Sequence, residues 1–224
     1  EEVGGLMLGL FEPGAAPWKL DGIPDDFSFG EIEPDWDRVG PHLEKAYSRV
    51  PSTLDLGVRK LFCGPESFTP DLAPLVGETP ELRNCFVACG MNSLGILNGA
   101  GTGKVLAHWI VDGHPPIDVT GINVNRFTRH EATRAFRRDR GPELLGKMFG
   151  QHYHNEGFET ARDLKRSVLH DRLLASGAFF TESHGWELAD WFAPTPDAAQ
   201  VDAYSWDRQN WFDWHADEHR AARE

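Results

Sequence analysis

The sequence predicts an α+β fold, on three observations. Strand-like runs are short, and the helical segments between them follow no regular βαβ alternation. Hydrophobic residues make up 40% and charged residues 25%, the balance of a globular chain that buries a core. No repeat and no low-complexity block interrupts the 224 residues, a length that allows one large domain or two small ones.

The elements follow in order. Residues 3–11 (VGGLMLGLF) read as a strand, with glycines where another backbone comes close. Residues 13–24 are a Pro- and Gly-containing loop. Trp36, Val39, Leu43, Ala46, Tyr47 and Val50 recur at three and four, which predicts a helix capped by Asp35 and stopped by Pro51. Residues 58–63 read as a short strand, and GPESFTPD (64–71) has turn chemistry at both ends. Residues 74–77 are extended. NCFVAC (84–89) reads as a buried strand with Cys85 and Cys89 as small apolar core residues, since a zinc site would need two more ligands nearby.

A glycine-rich run follows, then a helix over 103–111 with Asp112-Gly113 as its C-cap. Residues 114–124 read as extended and 133–148 as one or two helices. Residues 170–176 form a short helix ended by Gly177, and 178–182 a strand. From Trp186 onward aromatic residues are dense (Trp186, Trp191, Phe192, Trp206, Trp211, Phe212, Trp214), which predicts an interdomain core. Residues 194–200 read as a solvent loop or linker. Both ends lack start and stop signals, so the expectation is a piece of a longer chain.

The net charge of −13 argues against a nucleic-acid partner, because phosphate binding needs a basic stripe. No membrane-spanning run and no signal peptide is visible, and three cysteines fit a reducing, cytoplasmic compartment.

The run GMNSLGILNGAGTGK (90–104) resembles a phosphate loop and fails the test for one. A Walker loop needs a glycine five residues before Gly103, where Asn98 stands, and Ser or Thr after Lys104, where Val105 stands. The even spacing of Gly99, Gly101 and Gly103 also misses GxGxxG. What remains is a helix start near residues 93–95. Its first N–H groups lack internal partners and carry positive potential, so it accepts an anionic oxygen that need not be phosphate. The alternative is a glycine turn that only packs helix on sheet.

The sequence resembles the amino-acid-oxidase-type FAD-dependent amine oxidoreductases. The branch is that of dimethylglycine dehydrogenase, sarcosine dehydrogenase and the pyruvate dehydrogenase phosphatase regulatory subunit. The resemblance is carried by EP (12–13), WKLDGIPDD (18–26), GPESFTPD (64–71), PLVGE (74–78), LRN (82–84), GMNSLGI (90–96), HWI (108–110), Gly113, PP (115–116), Asp118 and NRF (125–127). Thr160-Ala161-Arg162, Ser167, HDRL (170–173), Gly185-Trp186-Glu187 and Trp191-Phe192 resemble the family's central segment. Residues 211–224, with His215, Glu218, His219 and Arg223, resemble the entrance to an aminomethyltransferase-like, folate-binding domain.

The resemblance implies three parts: 1–116, the carboxyl-terminal half of an FAD domain with a substrate-side antiparallel sheet and its last strand and helix; 117–176, a connecting segment; and 177–224, the start of the folate-binding domain. It implies that the backbone of Gly90, Met91, Asn92, Ser93, Leu94, Gly95 and Ile96 meets the pyrimidine edge of the flavin. Phe11 stands where dimethylglycine-type enzymes carry a tyrosine near the substrate, and supplies only an apolar wall. Glu66, Ser67 and Thr69 are either substrate-side residues or turn residues. The implied activity is oxidation of an N-methyl amine with FAD, and tetrahydrofolate as a one-carbon acceptor in the full-length protein. The implied partners are the small amine and the rest of the flavin domain, whose GxGxxG is not in this chain, with no nucleic acid and no membrane. A eukaryotic member would sit in the mitochondrial matrix. A non-catalytic regulatory subunit of the same fold is the second implication.

Three further motifs are weighed against plainer roles. His215-Ala216-Asp217-Glu218-His219 matches H-x-x-E-H but reads as an ordinary amphipathic helix, and no metal site is expected. His152 and His154 read as satisfied or exposed rather than as ligands. Arg134, Arg137, Arg138 and Arg140 read as a solvated helix face or a surface that docks on an acidic one.

Overall fold

In the computed structural model, residues 4–153, 156–200 and 202–224 are described. Five α-helices and two two-stranded antiparallel ribbons make up the regular structure of these residues. Helix α1 (Trp36–Arg49) begins where the sequence predicts, with the Asp35 carboxylate accepting the Arg38 amide at 2.9 Å. After Val50 the chain passes into a 3-10 turn at Pro51. Strands β1 (Leu75–Glu78) and β2 (Phe86–Cys89) pair from Leu75↔Cys89 to Glu78↔Phe86. Helix α2 (Gly95–Asp112) then ends on left-handed Gly113, the predicted C-cap. Helix α3 (Arg134–Phe149) is one helix despite Pro142, and its first turn is capped by Thr133. Helix α4 (His170–Ala175) leads through Gly177 into β3 (Ala178–Ser183). That strand pairs with β4 (Trp186–Phe192), and α5 (Phe212–Ala221) packs behind.

Residues 4–11 do not form the predicted strand; Gly5 makes an isolated bridge and the rest is irregular, while Val3 lies outside the described residues. The apolar pattern is used differently. Residues 11–21 run as a strap along α3, in the opposite direction. Phe11 stacks on Phe149 at 4.2 Å, the Ala15 amide donates to the Pro142 carbonyl at 3.0 Å, Arg137 donates to the Leu20 carbonyl at 2.9 Å, and Arg134 pairs with Asp21. Gly146 makes the approach possible, since a Cβ there would sit 2.8 Å from Pro13 Cα.

Residues 58–63 also fail to form a strand; only the Ile32↔Cys63 bridge is present. In both cases alternation alone cannot make a strand where no neighbour offers hydrogen bonds. Residues 114–124 are not simply extended but fold into 3-10 turns at Thr120–Ile122 and Val124–Arg126. Of the antiparallel sheet that the resemblance implies for residues 1–116, only the β1–β2 ribbon is formed among the described residues. Cys89 is exposed rather than buried, because β2 faces solvent at that end. Asn84, read as strand, has φ 58 and forms the turn instead.

The second ribbon was only half legible. Strand β4 hid behind its aromatic residues, yet His184 (φ 51) and Gly185 (φ 79) make the two-residue turn of a hairpin. Trp191 and Ala193 form a core with Phe179, Trp211 and Trp214. The aromatic run therefore packs β3, β4 and α5 together. Glu218 of the H-x-x-E-H motif accepts the Phe192 amide at 2.5 Å, which anchors α5 to β4. His152 Nδ1 donates to the Gly150 carbonyl at 3.1 Å, and His154 lies outside the described residues.

The predicted solvated arginine face holds only in part. Arg140 is buried, donating to Glu182 at 2.8 Å and to the carbonyls of Pro70 and Thr160, with its guanidinium stacked on Phe158. Spacing could not separate this arginine from its solvated neighbours. Glu131 pairs with Lys165, and Glu187 takes Arg162 in a forked contact. Buried carboxylates thus tie the central segment to the second ribbon. Burial works against ionisation of Glu131, but hydrogen bonds from Thr128 and the Lys165 ammonium outweigh it and hold the carboxyl below its ordinary range.

The chain exposes 15778 Å², against about 10,000 Å² for a compact protein of its mass. Phe29, Ile96, Leu97, Val111 and Val168 stand in solvent, so apolar faces are underburied.

Two outcomes follow. Arg140→Met leaves Glu182 without its charge partner and should cost about 3–5 kcal/mol in denaturant unfolding. Asp202 behaves oppositely to Glu131: burial, then the charge of Asp190, push its carboxyl up, and the Trp191 and Trp211 indoles offset this in part. Between its ordinary value of 3.8 and the raised one the folded state binds more protons than the unfolded chain. Stability is therefore lost as pH rises through that window. Asp202→Asn should raise the melting temperature at pH 7, and the gain should vanish in acid below the window.

Candidate functional site

The site grows from the end of β2. Gly90 (φ 61) turns the chain over Thr69, whose Cγ2 would lie 2.6 Å from any Cβ placed there. Two left-handed residues follow, Asn92 (φ 51) and Ser93 (φ 65). Such a pair is costly outside glycine unless its surroundings hold it. Asn92 is 1% exposed and supplies that hold. Its amide donates to the Ser67 carbonyl at 3.2 Å. Its side-chain oxygen accepts the Thr69 amide at 2.8 Å, and its side-chain nitrogen donates to the Gly90 carbonyl at 2.8 Å and to Thr69 Oγ1 at 3.2 Å. The Ser93 hydroxyl donates to Glu66 at 2.6 Å.

Helix α2 starts from this fixed turn. Leu94 is its N-cap residue and offers no side-chain cap. The first helical bond runs from the Asn98 amide to the Leu94 carbonyl at 2.9 Å. The amides of residues 95–97 meet no acceptor among the described residues. They carry the positive end of an 18-residue helix. Beside them Ile96 is fully exposed, and the positions of Gly99, Gly101 and Gly103 have no atom within 4 Å of where a Cβ would stand. These glycines do not pack on this chain's sheet. That job falls to Trp109, which lies across Gly77 and meets Phe86 edge-on at 6.3 Å. Gly99 and Gly103, one turn apart, form an open wall running away from the unsatisfied donors, while Gly101, about 200° round the helix, faces the other way.

The structure brings residues 90–96 together with Glu66, Ser67 and Thr69. Thr69 is buried and committed to the turn, Ser67 contributes its carbonyl, and Glu66 stands at the exposed rim beside Ser93. Phe11 is elsewhere, stacked on Phe149.

Sequence reasoning missed the support beneath. Arg126 spends five N–H donors at one place: Nε and Nη2 on the two Asp71 oxygens, Nη2 on the Ala73 carbonyl, and Nη1 on the Pro74 and Asn123 carbonyls. Both side chains are largely buried. Asp71 and Arg126 belong to the GPESFTPD and NRF runs, but 55 residues of separation gave no local signal that they pair.

A profile described as FAD dependent oxidoreductase matches residues 3–109, and one described as FAD dependent oxidoreductase central domain matches residues 112–167. The chain belongs to the FAD-dependent oxidoreductase family. It is 42% identical over 223 residues to 4-methylaminobutanoate oxidase (formaldehyde-forming) of Paenarthrobacter nicotinovorans, which covers 100% of this chain and 27% of that protein. It is 40% identical over 191 residues to human mitochondrial sarcosine dehydrogenase, 84% of this chain and 20% of the relative. It is 36% identical over 191 residues to the mouse mitochondrial pyruvate dehydrogenase phosphatase regulatory subunit, 85% of this chain and 22% of the relative. The chain thus spans about a quarter of the length of these relatives. No helix among the described residues is long and apolar enough to cross a membrane.

The residues present fit one edge of the family's FAD. Unpartnered helix-start amides suit an electron-rich oxygen or nitrogen, and a wall without side chains suits a flat ring. In this chain the left-handed Asn92–Ser93 turn sets where those amides point. Asn92→Ala removes its bonds to Thr69 and Gly90 while keeping a left-handed strain, and should cost about 2–4 kcal/mol in denaturant unfolding. Asn92→Gly relieves the strain and should cost less than Asn92→Ala. Equal losses would assign no cost to the turn.

Proposed function

We propose that this chain is part of an enzyme that oxidises a secondary N-methyl amine, of the sarcosine or 4-methylaminobutanoate type. The carrying observation is the unsatisfied start of α2 beside its open glycine face, within sequence of the FAD-dependent oxidoreductase family. When bound, FAD supplies the hydride acceptor that converts R–NH–CH3 to R–NH+=CH2, from which water takes the carbon as formaldehyde. The chain's own contribution is electrostatic. The amides of residues 95–97 would hold the pyrimidine edge of the ring, where charge accumulates on reduction. A donor fixed before the reaction favours the charged state more than the neutral one, by about 3 kcal/mol for one such group. Residues 90–96 hold and orient; no side chain among them is asked to move a proton. Glu66, at the rim beside Ser93, is the substrate-side residue best placed to meet a cationic amine.

The names of two relatives support the amine class, since sarcosine and 4-methylaminobutanoate are both secondary N-methyl amines that carry a carboxylate. We assign residues 1–116 to the flavin domain and 117–176 to its connecting segment. Residues 177–224 would open the folate-binding unit, which would let tetrahydrofolate take the one-carbon unit in place of water. A second reading, a regulatory subunit with no turnover, is favoured by the 36% identity to the phosphatase regulatory subunit.

The test is anaerobic titration of the purified full-length protein. A yellow protein whose 450 nm band bleaches with sarcosine or 4-methylaminobutanoate, releasing formaldehyde in air, is expected. A colourless protein that alters the activity of a partner enzyme would instead establish the regulatory reading.

A further inference from the structure

Asp71 and Arg126 lie outside the residues that would touch the flavin, yet Thr69, which holds the Asn92 side chain, leads back to them through Ala73. Thr69 Oγ1 has one proton, and the 2.8 Å contact to the Ala73 carbonyl takes it. The same oxygen is left to accept from Asn92 Nδ2 at 3.2 Å. The Ala73 carbonyl also accepts Arg126 Nη2 at 2.6 Å, and the Ala73 amide donates to Asp71 Oδ1 at 3.1 Å. Ala73 is therefore the junction between the ion pair and the turn. Leu72, at φ 64, is held between the two. From the other side, Arg126 reaches Asn123, whose neighbourhood bridges to Val76 of β1. His184, at the tip of the β3–β4 hairpin, stands 3.5 Å from the second Asp71 oxygen. Three parts of the chain far apart in sequence thus converge on one carboxylate.

We infer that Arg126 and Asp71 are positioning residues for the cofactor edge, acting through Ala73, Thr69 and Asn92 on the aim of the α2 amides. The inference rests on the flavin reading given above. A buried arginine with five hydrogen bonds has one geometry, and lysine cannot reproduce it because it has no planar fork. A small rotation of the 69–73 loop would shift the Ser67 carbonyl and Thr69 amide that template Asn92, and with them the first turn of α2. Misplacement of that kind by a residue far from the chemistry costs up to roughly 100-fold in rate. Substrate binding, which this pair does not touch, should be spared.

The experiment uses the full-length protein reconstituted to one FAD per chain, with Arg126→Lys, Thr69→Val and their combination. Arg134→Gln, which breaks an exposed pair with Asp21, serves as the control. Stopped-flow reduction by sarcosine or 4-methylaminobutanoate gives the limiting rate and the amine dissociation constant separately, and dye equilibration gives the flavin midpoint potential. The expected result is a limiting rate lowered roughly 10- to 100-fold in Arg126→Lys and in Thr69→Val. A more negative potential and an unchanged amine dissociation constant should accompany it. The combination should be little worse than either alone, because both act on one chain of contacts. Arg134→Gln should match the wild type. Variants that melt earlier but keep wild-type rate and potential would overturn the inference and leave the flavin reading standing. Should Arg126→Lys fail to fold, Thr69→Val decides by the same criterion. A wild-type protein that binds no flavin would instead remove the reading itself, and the inference with it.

Discussion

The buried contact between Asp71 and Arg126 is the constraint on which the Asn92 turn and the start of α2 depend. Neither charge could remain dry alone, since an unpaired buried ion costs several kcal/mol. Arg126 is satisfied by Asp71 and by the carbonyls of residues 73, 74 and 123, and Asp71 by Arg126 and the Ala73 amide. Satisfying the arginine therefore fixes two backbone segments at once, residues 73–74 at the entry to β1 and residue 123. The Asn92 turn is then built on a surface that cannot drift. A strained pair of left-handed residues survives there because its neighbours over-determine it.

The same device recurs through the central segment. Arg140 with Glu182, Lys165 with Glu131 and Arg162 with Glu187 each join pieces more than 20 residues apart, with at least one partner buried. Apolar contacts are sparse across this region, and the continuous aromatic core sits instead behind β4. Such pairs add little net stability compared with apolar packing, but they tolerate only one geometry. A chain with so much exposed apolar surface uses them to fix the relative placement of its loops.

Local chemistry was legible where one residue decides the outcome. Asp35, Gly113 and Gly177 marked helix ends correctly, because a cap is a property of one or two positions. The glycine-rich run was legible as a helix start with free donors, and it is one. The two lost strands, at residues 4–11 and 58–63, failed because strandedness needs a neighbour that periodicity cannot see. The strap along α3 depends instead on a glycine, Gly146, whose role appears only when Pro13 is laid against it. Arg140 looked like a surface charge for the same reason, since its partner lies 42 residues away, and the partner of Arg126 lies 55 residues away. Family resemblance supplied what spacing could not, since it selected a ring edge over a phosphate for amides that physical reasoning alone left open.

The central claim is that the amides of residues 95–97 are free in the protein and taken by the flavin. Amide hydrogen exchange of the full-length protein, with FAD removed and restored, reads this directly. The account predicts rapid exchange at 95–97 without FAD and marked slowing with it, while the Asn92 amide, bonded to Ser67, is slow in both states. Exchange at 95–97 that is already slow without FAD, or unchanged on its return, would contradict the account.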